Sequence, residues 1–286
     1  MQYEAPPTLD AAMALLAGAA GTARILAGGT DLLVQMHSDI VEPDLVVDIK
    51  RIAEARTIAL EDGRFRVGAT VTGMEIMEHE AFNKAWPGVV DGVKLIGSIQ
   101  IRGRATMGGN LCNASPAADS VPAAIAAGAV ACIAGPGGRR EVPVEDIGVA
   151  PGRTSLNKGE IVVSFLFPKR QPGSGGAYLR FTPRTEMDIA VVGAGVDVTI
   201  GRDGMCTAAK VALGAVAERV LVVEDAARAL IGSKLDEAAL ENMAAAARAA
   251  CRPIDDKRGT KEFRIEVAGV LARRAAAIAI ERAGRN

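Results

Sequence analysis

The chain has 286 residues, 49% of them hydrophobic, and its 33 basic and 34 acidic residues leave a formal net charge of −1. This length allows two or three domains with their own cores, and balanced charge without a basic block argues against a nucleic-acid partner. No apolar run approaches the roughly 18 residues of a membrane span, and the N-terminus lacks a signal-peptide pattern, so we expect no membrane span and a cytoplasmic location.

The cysteines and histidines form no metal-binding pattern. The four cysteines lie 20 or more residues apart, and only His37 and His79 accompany them. Without a Cys-x-x-Cys pair or a Cys/His cluster, the sequence encodes neither a zinc site nor an iron–sulfur site of its own. We expect the cysteines to be small buried hydrophobes.

The first 50 residues predict a small α/β unit. Thr8 can cap a helix from Leu9 to Leu16, and strands are expected at Arg24–Ala27 and Leu45–Ile49. From the first strand into the segment after it, residues 25–31 read Ile-Leu-Ala-Gly-Gly-Thr-Asp, and an unbroken apolar segment follows. We therefore expect a buried strand that leads through a Gly-Gly turn into a helix over residues 31–38.

A larger α+β unit is predicted next. A hairpin over residues 57–71 turns at Glu61-Asp62-Gly63, and a second Gly-Gly pair lies in the segment Thr106-Met107-Gly108-Gly109-Asn110-Leu111, for which we expect a loop. We also expect helices near residues 74–80, 89–96 and 117–127, and strands at 130–134, 140–144 and 161–167.

The last third predicts an antiparallel sheet followed by helices. Residues 169–176, rich in glycine with a proline, are the best linker by composition. Strands are expected at 178–182, 189–200 and 206–216, and helices at about 223–231, 236–250 and 260–283. On the last helix an apolar stripe is predicted from 3.6-residue periodicity, with Arg274 projecting onto it; the stripe comprises Phe263, Val267, Val270, Leu271, Ala275 and Ile278.

The two glycine pairs are the strongest candidates for a ligand site. Glycines allow a positive φ and a close approach of the backbone, and successive N–H groups in such turns, or at a helix start, bind anions. A diphosphate fits this chemistry, although neither pair has the spacing of a Rossmann fingerprint or a P-loop. From spacing alone, two ordinary tight turns remain an alternative.

Both segments resemble the FAD-pyrophosphate loops of the molybdenum hydroxylase flavoproteins. The resemblance, which covers nearly the whole chain, is to the medium subunit of carbon monoxide dehydrogenase and to the FAD domain of xanthine dehydrogenase. It implies an α+β fold with two FAD-binding subdomains of the vanillyl-alcohol-oxidase/PCMH type, at residues 1–55 and 56–172. A C-terminal domain, residues 177–286, is then an antiparallel sheet covered by helices.

The resemblance also assigns residues to the cofactor. It implies that Asp119 accepts a hydrogen bond from the sugar portion of FAD, although a helix-cap role is the alternative, and that Ile96 and Ile161 pack on its rings. Arg180 is expected beside the flavin and Ile189 near its N5 edge. The two glycine segments are expected to bind the diphosphate. Their residues are Ile25, Leu26, Ala27, Gly28, Gly29, Thr30, Asp31, Thr106, Gly108, Gly109 and Asn110.

The function implied is that of an FAD-carrying electron-transfer subunit in a heterotrimeric molybdenum hydroxylase. A large molybdopterin subunit and a small [2Fe-2S] subunit are expected as partners, in a dimer of heterotrimers, with NAD⁺ or another compound as electron acceptor. No side chain of this chain is expected to act as acid, base, nucleophile or metal ligand. The alternative is a free-standing FAD oxidase or dehydrogenase of the vanillyl-alcohol-oxidase type.

Overall fold

A three-stranded parallel sheet forms the N-terminal part of the structure, a computed structural model that describes residues 1–285. Its strand order is β1-β3-β2, and Thr8 caps the first helix as predicted by accepting a hydrogen bond from the Ala11 N–H. The predicted buried strand is only partly buried, because Leu26 alone among its residues is shielded from solvent. The elements are β1 Gln2–Glu4, α1 Leu9–Gly18, β2 Ala23–Leu26, α2 Leu32–His37 and β3 Leu45–Asp48.

A five-stranded antiparallel sheet follows, in the order β4-β5-β10-β6-β7. The predicted hairpin turn is present, and Asp62 and Gly63 both have positive φ, at 53° and 79°. The strands of this sheet are β4 Ile58–Glu61, β5 Arg64–Gly68, β6 Val130–Gly135, β7 Gly138–Pro143 and β10 Ile161–Phe167, and a two-stranded sheet pairs β8 Gly148–Ala150 with β9 Arg153–Thr154.

Six helices lie between strands β5 and β6. A hydrophobic core packs this sheet on these helices, and it includes the side chains of Phe65, Phe82, Trp86 and Phe167. The helices are α3 Gly73–Glu78, α4 Glu80–Ala85, α5 Pro87–Val93, α6 Ile99–Arg102, α7 Met107–Cys112 and α8 Ser120–Ala126.

One correction concerns the second glycine pair. Gly108 and Gly109 lie in the first turn of helix α7, where the sequence predicted a loop. The helix forms because Thr106 is an N-cap residue with extended backbone, and its hydroxyl accepts a hydrogen bond from the Gly109 N–H at 3.0 Å. The cap offsets the low helix propensity of two glycines.

The C-terminal part is a four-stranded antiparallel sheet, β11-β12-β13-β14, with helices packed on it. The strand predicted from residue 189 begins only at Val192, and the strand predicted from residue 178 already begins at Ser174, inside the expected linker. The elements are β11 Ser174–Phe181, β12 Val192–Ile200, β13 Cys206–Gly214, β14 Leu221–Val222, α9 Glu224–Leu230, α10 Glu237–Ala250 and α11 Lys261–Ala283.

The apolar stripe predicted on the last helix is correct in part. Leu271 and Ala275 are buried, and Val267 and Ile278 pack against the same core. Phe263 and Val270 are 42% and 43% exposed, and Arg274 is exposed as well. The buried face also carries further alanines and Gly269, together with Arg264, which binds Asp256 at 2.7 Å. A face of small residues lets the helix approach the sheet closely, so the periodicity of large side chains did not reveal it.

Ion pairs and close packing join the C-terminal sheet to the preceding helices. Arg282 of α11 binds Asp91 of α5 at 2.5 Å, and Arg170 binds Asp197 of β12 at 2.7 Å. Strand β12 also lies so close to α8 that a Cβ at Gly195 would come within 2.5 Å of the Pro122 carbonyl oxygen. These contacts fix the position of the C-terminal sheet relative to helices α5 and α8.

Candidate functional site

A cavity of about 700 Å³ lies between the first sheet and the helices of the second. This volume is in the range of clefts that bind cofactors. Its walls include the β2–α2 turn, the N-terminus of α7 and the loop that leads into β10. Twelve of the sixteen predicted site residues line it: Ile25, Ala27, Gly28, Gly29, Thr30, Asp31, Ile96, Thr106, Gly108, Gly109, Asn110 and Ile161.

The first glycine turn offers a run of free main-chain donors. Within residues 1–285, the N–H groups of Gly28, Gly29, Thr30 and Asp31 donate to no protein acceptor. Gly29 has a φ of +83°, and a Cβ at Gly28 would lie 2.3 Å from the Arg104 carbonyl oxygen. Glycine is thus required at 29 by backbone conformation and at 28 by the approach of the second wall.

The second wall is the N-terminus of helix α7. The N–H groups of Met107 and Gly108 likewise find no acceptor in the part of the chain that the structure describes. A Cβ at Gly108 would lie 2.5 Å from the Ala69 carbonyl oxygen, so this glycine is needed for packing. A Cβ at Gly109 would meet only the Thr106 hydroxyl oxygen, at 3.2 Å, since Gly109 borders the cavity.

Four predicted residues lie outside the cavity wall, and two of them bind each other. Asp119 accepts hydrogen bonds from Arg180 at 2.6 Å and from the Tyr178 hydroxyl at 2.9 Å, and all three side chains are buried. Burial raises the pKa of Asp119 to about 6, against the opposing effect of Arg180. Asp119 stands at the N-cap of α8 but makes no capping hydrogen bond, so the alternative cap role is not supported.

The other two are Leu26, which is buried at the end of β2, and Ile189, which is 53% exposed. Ile189 follows Asp188, whose carboxylate accepts a hydrogen bond from the Ile189 N–H and pairs with Arg258 at 3.3 Å. The Asp188 carbonyl lies 3.5 Å from Arg180. One charged network therefore links Asp119 to the segment that presents Ile189.

Comparison with known proteins decides what kind of protein has this architecture. A family model described as the FAD binding domain in molybdopterin dehydrogenase matches residues 1–170. A second model, the CO dehydrogenase flavoprotein C-terminal domain, matches residues 177–279. The chain belongs to this flavoprotein family. It is an FAD subunit of the molybdopterin-dependent dehydrogenases, a class of oxidoreductase.

Relatives match over nearly their whole length. The carbon monoxide dehydrogenase medium chain of Hydrogenophaga pseudoflava is 31% identical over 275 residues, or 96% of this chain and 95% of that one. The xanthine dehydrogenase FAD-binding subunit of Escherichia coli O157:H7 is 32% identical over 285 residues, which cover 99% and 97%. A chain of reconstituted CO dehydrogenase from Oligotropha carboxidovorans superposes with a TM-score of 0.94 at 32% identity, covering 99% of this chain and 98% of the other.

These matches confirm several predictions. FAD is the cofactor of this flavoprotein chain, and the family carries its molybdenum cofactor and [2Fe-2S] clusters on partner subunits. No group of three or more potential metal ligands occurs among residues 1–285. None of the helices described in those residues is both long and apolar enough to cross a membrane.

Two features of the cavity fit FAD: its main-chain N–H donors and the open space beside Gly109. Five N–H groups without a protein acceptor in residues 1–285 belong to residues that line the cavity, namely Gly28, Gly29, Thr30, Asp31 and Gly108. Hydrogen bonds to a charged acceptor contribute roughly 1.5–3 kcal/mol each. Only Gly109 among the four glycines has space for a ligand where a side chain would otherwise stand. Both turns also start helices, whose N-termini favour a negative charge.

Sequence reasoning missed the side chains on the remaining walls. Lys158 and Glu160 line the cavity from the loop before β10; Lys158 donates to the Ala19 carbonyl, and Glu160 binds Arg140 through two hydrogen bonds of 2.8 Å. Gln35 and Asn113 contact each other across the two glycine segments at 3.3 Å. No motif announces these residues, although the loop Asn-Lys-Gly-Glu before an apolar strand marks a turn at this position.

The half-buried Cys112 also borders the cavity, and desolvation raises the pKa of its thiol to about 12. Cys206 and Cys251 are buried as expected, whereas Cys132 is half-buried. The neutral thiol of Cys112 adds an apolar surface to this wall.

Proposed function

We propose that this chain is the electron-transfer subunit of a heterotrimeric molybdenum hydroxylase. It takes electrons from the [2Fe-2S] clusters of a small partner subunit and passes them to NAD⁺ or another acceptor. Substrate is oxidised at the molybdopterin cofactor of a large partner subunit. The observation that carries the proposal is the cavity with two facing turns of free N–H groups, in a chain that matches such flavoproteins end to end.

The proposal gives each site residue a role. The N–H groups of Gly28 to Asp31 and of Met107 and Gly108 hold the diphosphate of FAD, and Thr106 keeps α7 in place by capping it. Ile25, Leu26, Ala27, Asn110 and Ile161 shape the walls around it, and Ile96 packs on the ring system. Bound FAD supplies storage for two electrons between one-electron donors and the final acceptor.

The C-terminal end positions the ring by a fixed network. Because Asp119 and Arg180 neutralise each other, neither offers a free charge to the cofactor, and the pair holds β11 against α8. Asp188 then sets the path of the segment that brings Ile189 to the N5 edge of the ring. As part of the proposal, Asp119 also accepts a hydrogen bond from the sugar portion of FAD.

The proposal also covers the domain type, the location in the cell, the assembly and the choice of substrate. The two FAD-binding subdomains, residues 1–55 and 56–172, are of the vanillyl-alcohol-oxidase/PCMH type, and residues 177–286 form the third domain. The enzyme works in the cytoplasm as a dimer of heterotrimers. Quinoline 2-oxidoreductase from Pseudomonas putida 86, with a TM-score of 0.90 at 29% identity, and the CO dehydrogenases act on different substrates, so substrate choice is assigned to the partner subunits.

Co-expression with the products of the neighbouring genes tests this function. We expect a complex that contains molybdenum and iron and releases all its FAD on acid precipitation. Substrate should reduce the flavin in the complete complex but not after removal of the molybdenum subunit, whereas dithionite should reduce it in both. Turnover of substrate by this chain alone, free of molybdenum and iron, would instead establish the free-standing oxidase.

A further inference from the structure

The cavity wall that carries helix α2 is only weakly attached to the rest of the fold. No residue of α2, Leu32–His37, is buried, and within residues 1–285 none belongs to a hydrophobic core. On the facing wall, helix α7 buries Met107, Gly108 and Leu111. A segment with few buried apolar contacts opens locally at a low free-energy cost. The two walls therefore differ in how firmly the fold holds them.

One side-chain contact joins α2 to the facing wall. Gln35 Nε2 donates to Asn113 Oδ1 at 3.3 Å, and both residues line the cavity. In the part of the chain that the structure describes, this is the one hydrogen bond from residues 30–41, here called the α2 segment, to a residue outside positions 29–41. Breaking this bond is therefore the step that separates α2 from α7.

The ends of the α2 segment are anchored and contain two hinge positions. Gly29 and Asp39 have positive φ, at 83° and 53°. Beyond the second hinge, Asp44 is tied to Thr22 by two hydrogen bonds of 2.8 Å, one through its N–H and one through its carboxylate. Hinges of closing segments lie at loop or element ends of this kind, which absorb the change in φ and ψ. The segment is thus free to swing while the sheet stays in place.

The α2 segment also stands between the cavity and solvent. Ile40 lines the cavity and is at the same time 72% exposed, which places it where the cavity opens. The other residues of the segment on the cavity wall are Thr30, Asp31, Leu32, Gln35 and Val41. A ligand that passes this opening has to move along the α2 segment.

We propose that the α2 segment is a lid over the cofactor cavity and that the Gln35–Asn113 hydrogen bond is its latch. The inference rests on the proposed function, because it takes FAD as the ligand under the lid. The latch joins two protein side chains and needs no ligand to form, so it breaks both when FAD enters and when FAD leaves. It sets the two rates of exchange and leaves the affinity unchanged.

The test measures both rates in the assembled complex. Stopped-flow flavin fluorescence gives the rate of FAD binding to the flavin-free complex, and dilution of the loaded complex gives the rate of release. Since Gln35→Ala removes one neutral hydrogen bond, we expect both rates to rise about fivefold while the Kd stays within about twofold of the wild-type value. A side chain that held FAD directly would instead raise the release rate alone.

A double variant distinguishes one latch from two independent contacts. Asn113→Ala should reproduce the effect of Gln35→Ala, and the two changes together should be no faster than either alone, because both remove the same bond. Gln171→Ala is the matched control, since this exposed glutamine lies outside the cavity wall and donates to the Lys169 carbonyl. Its two rates should equal those of the wild type.

Two kinetic results would overturn the inference. A faster release with an unchanged binding rate in Gln35→Ala would make this residue a direct ligand of FAD. Rates that multiply in the double variant, to about 25-fold, would show that Gln35 and Asn113 do not act through one another.

If the variants fail to assemble, amide hydrogen exchange of the flavin-free wild-type complex decides. The hydrogen-bonded N–H groups of Gln35 and Ser38 in the lid should exchange at least about tenfold faster than those of Asn110 and Asn113 on the facing wall. Equal exchange on the two walls would overturn the lid. A wild-type complex that binds no flavin refutes the proposed function, which is a separate outcome because the exchange of α2 needs no flavin.

Discussion

The cavity and the buried charged network beside it are built from different chemical groups. The cavity between Gly28 and Gly109, which the proposed function assigns to the diphosphate and which is called the diphosphate end below, offers main-chain N–H groups with no protein acceptor in the described residues. The charged network beside strand β11 is called the domain seam below. Its side chains bind one another: Asp119 binds Arg180, and Asp188 binds Arg258. The comparison shows that one end is open to a ligand and the other is already satisfied.

Breaking the seam should have the largest effect. Arg180→Met leaves the Asp119 carboxylate buried with only the Tyr178 hydroxyl as partner, and removal of one member of a buried pair costs about 3–5 kcal/mol. We expect the free energy of unfolding in urea to fall by this amount. Arg184→Met, at an arginine whose side chain is 72% exposed, is the control and should change it by less than about 1 kcal/mol.

A double replacement sharpens this prediction. Asp119→Leu combined with Arg180→Met removes both charges and should recover part of the stability that the single change loses, because no unpaired charge remains. If the free energy of unfolding of Arg180→Met equals that of the wild type, the ion pair does not stabilise the fold. The proposed difference between the diphosphate end and the domain seam would then be wrong.

At the diphosphate end, a bulky residue should remove the ligand and leave the fold intact. Gly109→Trp places its ring in the cavity, because a Cβ at this glycine meets only Thr106. We expect FAD affinity of the assembled complex to fall at least about 100-fold, equivalent to about 2.8 kcal/mol, with unfolding unchanged. Flavin fluorescence titration measures the affinity.

Gly137→Trp is the matched control, since this exposed glycine has no atom within 4 Å of an added Cβ and lies outside the cavity wall. It should bind FAD as the wild type does. Wild-type affinity in Gly109→Trp would place the cofactor elsewhere.

The smallest effect is expected at Glu160, a cavity-wall carboxylate held by a side-chain pair. Hydrogen bonds from Arg140 lower the pKa of Glu160 from 4.5 to about 2, against desolvation. Because the folded-state pKa is depressed, the stabilisation is present above pH 4.5 and is lost as the pH falls towards 2. Glu160→Gln should thus cost up to about 1 kcal/mol at pH 7 and nothing near pH 2. Urea unfolding at several pH values checks this, and a cost independent of pH would show that the charge contributes nothing.

The diphosphate end could be predicted from sequence because its chemistry lies in the backbone. Gly28 and Gly29 stand out in the sequence, and their turn follows a strand and begins helix α2 as expected. The helical state of Gly108 and Gly109 was missed because glycine propensity argued for a loop, whereas the Thr106 cap decided the local structure. Local residue types predicted that both glycine pairs line the cavity, but not the secondary structure of the second pair.

The domain seam could not be predicted in the same way. Asp119 and Arg180 are 61 positions apart, and nothing in their neighbourhoods in sequence indicates that they meet. The packing of β11 beside α8 brings them together, and β12, which pairs with β11, lies close to α8 at Gly195.

Amide hydrogen exchange tests most directly whether main-chain N–H groups hold FAD. The complex is compared with and without FAD, and exchange is read by mass spectrometry with residue-level fragmentation. We predict that the N–H groups of residues 28–31 and 107–108 exchange fast without FAD and at least about tenfold more slowly with it, because only the ligand supplies their acceptor. Unchanged exchange at both turns, in protein that has bound its flavin, would contradict the account.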